Sequence, residues 1–304
     1  MHYLGIEIGG TKLQLVLGND RAQIQHRARH KVDPQRGGPG IREQIAATIA
    51  EWRGRFQIVS VGVGFGGPID SRTGRICCSH QIQGWDNFPL SSWLRDLTGA
   101  RVAVDNDANV GALGEAVHGA GKGKDPVFYV TMGSGVGGGL VRDSQIYHGA
   151  LPGEAEIGHL RLDKSGTIVE SRCSGWAVDK GIREALQSSS GGALAQLVKS
   201  SPGNEARHLG PALAQGDPLA TRIVDEVASD LAFALSHVTH LFHPEVIVLS
   251  GGLSLLGHPL QQAVARALPG FVMEAFHPVP EIALAALGED AIPVGALQLA
   301  KTAF

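Results

Sequence analysis

Two rhythms of apolar residues run along the chain. Residues 4–8 and 13–17 are short apolar runs separated by Gly9-Gly10-Thr11, which predicts a strand, a tight turn and a returning strand. Ile41, Ile45, Ile49 and Trp52 recur at spacings of four and three, the stripe of an amphipathic helix. Residues 58–63 read as a buried strand ending in Gly64-Phe65-Gly66-Gly67-Pro68, and residues 101–104 as a short strand. Small residues over 107–117 predict a helix that permits close packing. Residues 127–132 open a second strand, glycine turn and strand, FYVTMGSGVGGGLV, whose layout echoes LGIEIGGTKLQLVL near the start. Two such hairpins predict two related halves. The longest stripe, from Leu219 and Ile223 through Leu235 to Leu241, predicts one long helix. It leads into a strand over 246–249, and a last helix is expected over 292–301. The stretch 187–203, rich in Ser and Gly, is expected to be an exposed loop or a helix break.

Strands alternating with helices argue for an α/β fold. A chain of 304 residues suggests two domains or one large one, and 43 % hydrophobic residues can bury a real core. The net charge is −3 and no run of five like charges occurs, so no nucleic-acid partner is expected. No apolar run reaches the ~18 residues of a membrane span. The first residues lack the basic segment and apolar core of a signal peptide. Three cysteines, Cys77, Cys78 and Cys173, give no disulfide framework. A cytoplasmic protein without a membrane partner is the expectation. The 42 glycines change the picture most, because they cluster directly after apolar strands, where backbone can come close to a ligand.

Five clusters carry candidate chemistry. In Glu7-Ile8-Gly9-Gly10-Thr11-Lys12, the Gly-Gly turn lets backbone N–H groups point at a phosphate. Thr11 adds a hydroxyl donor, Lys12 a cation, and Glu7 can hold Mg²⁺ through water. An ordinary hairpin explains the same residues without a ligand, and the spacing is not that of a Walker A loop. Gly133-Ser134-Gly135-Val136-Gly137-Gly138-Gly139 places five glycines in seven residues. Packing alone explains that poorly, since each glycine costs backbone entropy on folding. A phosphate-approach loop is the better reading, and two such loops can clamp one nucleotide. Asp105-Asn106-Asp107-Ala108-Asn109 follows a strand and opens a helix. A carboxylate there can accept a proton from a bound hydroxyl, and the adjacent amide can orient that hydroxyl. A helix N-cap is the plainer reading, but one cap needs only one such residue. Glu154-Ala155-Glu156-Ile157-Gly158-His159, with Glu170 beyond, suits a polyhydroxylated ligand, but a charged surface with one satisfied histidine is the plainer reading of these residues alone. A metalloprotease spacing is absent. Residues 246–252 are a buried strand ending in Ser250-Gly251-Gly252, either a rest for an adenine or ribose or a plain strand–turn.

Taken in order, GIEIGGTK, VGFGGPID, GWDNFPL, VDNDANVGALGE, MGSGVGGG, GEAEIGH, ESRCSG, HPEVIVLSGG and LGEDAIPVGAL resemble the ROK family of sugar kinases and related repressors. The resemblance covers nearly the whole chain. It implies an α/β, two-lobed, actin-like ATPase (ribonuclease H-like) fold with an interdomain cleft. The implied lobes are residues 1–109 plus 290–304 and residues 110–289. It implies an ATP-dependent kinase with Mg²⁺, a hexose acceptor with glucose foremost, and a homodimer. By position, Asp107 becomes the catalytic base, and Asn106, Glu156, His159 and Glu170 the sugar ligands. Gly9, Gly10, Thr11 and Lys12 form one phosphate loop, and Gly133, Ser134 and Gly135 the other. Gly251 and Gly252 become the adenosine contact.

Three departures from the family pattern stand out. Glu7 replaces an Asp found in many members. The family's zinc loop has no counterpart in residues 160–169, LRLDKSGTIV, and Cys173 alone cannot complete a tetrahedral site, so no zinc is expected. Residues 79–83, SHQIQ, replace a Pro-Asn pair near the sugar, which leaves open fructose, mannose or an N-acetylated amino sugar as acceptor. From another class, a kinase-like sugar binder without catalysis is motivated by Glu7 and the missing zinc loop, and Asp107 speaks against it. A repressor is disfavoured, because only three residues precede the first strand and leave no room for a helix-turn-helix.

Overall fold

The computed structural model describes residues 1–79, 82–150, 155–188 and 191–302. In chain order these begin with β1 (His2–Ile8), β2 (Lys12–Gly18), β3 (Ile24–Lys31), α1 (Gly37–Arg53), β4 (Ile58–Phe65), β5 (Ile69–Asp70) and β6 (Arg75–Ile76). Next come α2 (Leu90–Thr98), β7 (Arg101–Asn106), α3 (Asp107–His118), β8 (Val127–Met132), β9 (Val136–Arg142) and β10 (Gln145–Ile146). The remainder is largely helical: α4 (Glu170–Cys173), α5 (Gly175–Ser188), α6 (Ala193–Ser200), α7 (Leu209–Leu213), α8 (Pro218–Phe242), β11 (Val246–Ser250), α9 (His258–Ala267), β12 (Glu281–Leu284) and α10 (Ala291–Thr302). Among the described residues, no helix is long and apolar enough to cross a membrane.

Two five-stranded sheets repeat one plan. The first has the order β3-β2-β1-β4-β7 and the second β10-β9-β8-β11-β12. In each, the first strand lies at the centre, two strands follow outward on one side, and two later strands complete the other side. The echo between the two glycine hairpins in the sequence is therefore an echo of whole sheets. In the first sheet β1 pairs antiparallel with β2, and β1, β4 and β7 run parallel. The β1–β4–β7 core is mainly apolar, as parallel strands covered by helices are.

The chain forms two compact units, Met1–Gly123 with Gly139–Ala155 and Ala286–Phe304, and Lys124–Gly138 with Glu156–Ala285. The division falls elsewhere than residues 109 and 290. Helix α3 stays with the first unit because glycines let it seat directly against α10. A methyl group on Gly295 would lie 1.8 Å from the Val110 carbonyl oxygen, and one on Gly114 would lie 2.3 Å from that of Ala291. Likewise α10 sits on β4 at Gly62, where a methyl would meet the Ala296 carbonyl at 2.0 Å.

The stretch 187–203 is not simply a loop, since it contains α6. One distant carboxylate explains this. Asp217 Oδ2 accepts from the Leu194 N–H at 2.9 Å near the start of α6. Its Oδ1 accepts from the N–H groups of Leu219 and Ala220 and caps α8. Local composition carries no trace of a cap supplied from 23 residues away.

Candidate active site

The parallel register of the first sheet builds the first group of predicted residues. Ile8 pairs with Phe65, and Phe65 with Asn106, so three strands end in one row. The next residues, Gly9, Gly66 and Asp107, leave the sheet side by side at its carboxyl edge, where parallel sheets bind ligands. The Gly66 N–H donates to the Ile8 carbonyl at 2.9 Å. A methyl on Gly66 would lie 3.2 Å from Asp107 Oδ2 and 3.7 Å from the Gly9 Cα. The base candidate and the first glycine hairpin are thus immediate neighbours, and Gly66 keeps the space between them open.

Asn106, not Asp107, caps α3. Its side-chain oxygen accepts from Ala108 N–H at 2.9 Å and more weakly from Asn109 N–H at 3.4 Å. Its amide donates to the Gly67 carbonyl at 3.2 Å. The cap role predicted for this cluster is real, and Asn106 fills it. Asp107 stands half-buried as the first residue of the helix, with its charge next to the positive end of the helix dipole.

In the hairpin, the Gly9 N–H donates to the Lys12 carbonyl at 3.0 Å. Thr11 is exposed. Lys12 Nζ lies 3.3 Å from Glu7 Oε1, while Gln14 Nε2 donates to Glu7 Oε2 at 2.7 Å. Gln14 in turn accepts from Arg27 and Arg29, and Arg27 holds Asp290 through two hydrogen bonds. Each Glu7 oxygen keeps a lone pair beyond these contacts, so the donor set fits a metal held through water rather than directly. Burial pushes the Glu7 carboxyl above its usual range, against the pull of Lys12 and Gln14. A raised folded-state value means stability is lost as pH climbs from the ordinary carboxylate range through that value. Glu7→Gln removes the titration, so its melting temperature relative to wild type should be higher at pH 7 than at pH 4. Thermal melts at both pH values check this, and a difference that stays flat would contradict it.

The second group lies in the other unit. Ser250 on β11 pairs with Thr131 on β8, which brings Gly251 against Met132 and the start of the glycine loop. Gly251 has φ +83°, and a methyl there would lie 2.5 Å from Met132 backbone atoms. The Gly133 N–H donates to the Gly135 carbonyl at 2.9 Å, and the Gly133 carbonyl accepts from Gly175 at 2.7 Å. Ser134 and Gly252 are exposed. A cavity of about 560 Å³ opens over this backbone, lined by Gly133, Ser134, Gly252, Trp176, Asn204 and Arg207 among others. Trp176 and Leu255 at its edge are 70 % and 87 % exposed, so large apolar surface lies open there. Sequence reasoning missed Trp176, Asn204 and Arg207. They lie in helical and loop segments without a motif, and only the fold carries them to the glycine loop.

Glu170 and the 3-10 turn Ile157–His159 converge on the same loop. The Val136 N–H donates to Glu170 Oε2 at 2.9 Å. A methyl on Gly158 would lie 2.2 Å from the Val136 carbonyl, so the segment of Glu156 and His159 is packed against Val136. Glu156 and His159 are both exposed, free of the core. Glu170 therefore spends one oxygen on the second loop. Glu154, His80 and Gln81 lie outside the described residues. Where the zinc loop was expected to be missing, Asp163 organises a turn. Its Oδ1 accepts from Ser165 Oγ at 2.6 Å and from the N–H groups of Gly166 and Thr167. Ser165 and Thr167 hold its carboxyl well below the usual range. Among the described residues, no group of three or more His, Cys, Asp or Glu is placed to hold a metal.

Two sheets of one plan, each with a glycine hairpin leading out of its central strand, form the actin-like ATPase fold. The chain belongs to the ROK family, whose family model matches residues 3–303. It is 30 % identical over 306 residues to a glucokinase of Thermotoga maritima, covering 98 % of this chain and 96 % of that one. A ROK family glucokinase from Streptomyces griseus, in complex with glucose and AMPPNP, is 28 % identical with a TM-score of 0.84, covering 99 % of this chain and 100 % of that one. A ROK hexokinase from Thermus thermophilus is also 28 % identical, with a TM-score of 0.80 and coverage of 99 % and 98 %.

Proposed function

We propose that this protein is an ATP-dependent sugar kinase that phosphorylates glucose, with Asp107 as the base. The observation that carries the reading is the row Ile8–Phe65–Asn106, which seats Asp107 beside the first glycine hairpin. Relatives at about this level of identity include glucokinases and a complex with glucose and an ATP analogue.

Phosphoryl transfer asks mainly for alignment and charge neutralisation. Asp107 accepts the proton of the attacking hydroxyl. Asn106 gives three of its hydrogen-bonding positions to the α3 cap and Gly67, so it offers the sugar one remaining N–H. Glu156, His159 and Glu170 are assigned to the other sugar hydroxyls. Gly10 and Thr11 offer donors to a phosphate, Gly9 closes the turn through its N–H on the Lys12 carbonyl, and Lys12 offers a cation tethered by Glu7. Gly133, Ser134 and Gly135 serve as the second phosphate loop, and Gly251-Gly252 with Trp176 take the adenosine. Glu7 would hold, through water, a magnesium ion brought with the nucleotide, and that ion would neutralise phosphate charge. We further assign the protein to the cytoplasm as a homodimer, a state for which exposed Leu241, Phe242, Phe271 and Met273 supply apolar surface.

If adenine stacks on Trp176, Trp176→Ala raises KM for ATP by on the order of tenfold, the scale of a base–aromatic stack, and leaves kcat nearly unchanged. Steady-state kinetics at saturating glucose check this; an unchanged KM would move the base elsewhere. The activity itself is tested by ADP release over glucose, mannose, fructose and N-acetylated hexosamines. Glucose should give the highest kcat/KM. A better mannose or amino-sugar rate would reassign the acceptor, and no sugar-dependent ADP release would reject the kinase reading.

A further inference from the structure

Asp105 lies two residues before the proposed base and takes no part in the transfer chemistry. Its side chain is 4 % exposed, a degree of burial that carboxylates reach only when paired. Both oxygens are used. Oδ1 accepts from the Asn106 N–H at 2.8 Å and from Asn109 Nδ2 at 3.0 Å. Oδ2 faces His148 Nε2 at 2.7 Å. One oxygen therefore grips the backbone just before Asp107 and a side chain on the first turn of α3. The other is held by an imidazole 43 residues away.

His148 follows β10 in the same unit as Asp105 and α3. Its side chain is 31 % exposed. With Asp105, Ser144, Gln145 and Thr302 it lines a cavity of about 290 Å³. Asp105 thus borders open space beside its contact with His148. A carboxylate turns as one rigid plane, so rotation that frees Oδ2 also swings Oδ1 off the Asn106 N–H and the Asn109 amide. Packing cannot prevent that rotation where there is open space, whereas a 2.7 Å hydrogen bond can. Asn109 needs the contact: it is 1 % exposed, and its Oδ1 has no hydrogen-bond partner. Its donor end therefore anchors the side chain, and it does so on Asp105.

We propose that His148 is a positioning residue for Asp107, acting through Asp105, and that it sets turnover without touching the nucleotide. The inference rests on the reading of Asp107 as the base. Displacing a reacting group by about 1 Å can cost about 100-fold in rate. The cavity assigned to adenosine is lined entirely by residues of the other unit, and of the assigned nucleotide contacts only the loop 9–12 shares a unit with His148, so KM for ATP should change far less than kcat. Glutamine can place an amide N–H where His148 Nε2 stands, so it should restore the grip on Asp105.

The test is steady-state kinetics with ATP and glucose on the full chain as wild type, His148→Ala and His148→Gln, each with a thermal melt. His148→Ala should lower kcat by roughly 10- to 100-fold, with KM for ATP changing far less and the melting temperature near wild type. His148→Gln should recover most of the lost turnover. Unchanged kcat in His148→Ala would overturn the proposal. So would a loss that His148→Gln does not repair, or one that merely follows a fall in melting temperature. These outcomes leave the kinase reading standing, since wild type remains active. A wild type that releases no sugar-dependent ADP brings down both.

Discussion

Asp107→Asn is expected to lower kcat by about 100- to 10,000-fold, the usual worth of a positioned general base. Asparagine keeps the shape and loses the proton acceptor. The α3 cap survives, because Asn106 supplies it and not Asp107. The loss should therefore fall on turnover. Glucose affinity, read by calorimetry, should stay near that of wild type, and the melting temperature should not drop. Wild-type turnover in this variant would show that another group takes the proton. A parallel loss of glucose binding would make Asp107 a binding residue first.

Gly295→Ala is expected to be the most damaging small substitution outside the active site. The added methyl would lie 1.8 Å from the Val110 carbonyl oxygen and 3.1 Å from the Gly114 nitrogen. Neither is the end of a flexible side chain, so α10 must lift away from α3. Overpacking of this kind costs about 3 kcal/mol or more, which lowers the melting temperature by on the order of 10 °C in a domain of this size. Because α3 carries Asp107 at its first residue, turnover should fall as well, even in protein that remains folded. Gly270→Ala is the control, since nothing lies within 4 Å of the added atom. Equal melting temperatures for Gly295→Ala and wild type would contradict this account of the α3–α10 contact.

Much of the fold was legible in the sequence. The long stripe of α8, the paired hairpins and the strand over 246–249 all rest on strong local periodicity or on Gly-Gly turns. Helix α8 runs one residue beyond the stripe at each end, and at its start Pro218 opens it and Asp217 caps it. Strand β3 escaped notice, since IQHRARHK is polar and is held as a strand by β2 through pairs such as Leu15 with Ala28. Helix α6 escaped for a related reason: its cap comes from Asp217.

The candidate site divided along the same line. Residues that announce themselves by glycine clusters or by adjacent carboxylates and amides could be named from the sequence. Their partners could not. Gly66 sits in a glycine cluster that reads as the end of a strand, yet register alone places it between Asp107 and Gly9. Gln14, the carrier of the Glu7 network, reads as one polar residue in an apolar strand. His148 and Trp176 have no local signal, because each matters only through a neighbour brought by the fold.

Phosphorus NMR on ATP, glucose and the purified protein tests most directly whether a phosphoryl group passes to the sugar. A phosphomonoester resonance should grow in step with ADP in the wild type and stay flat in Asp107→Asn. Inorganic phosphate in its place, or a spectrum that does not change, would contradict the assignment of this protein as a sugar kinase.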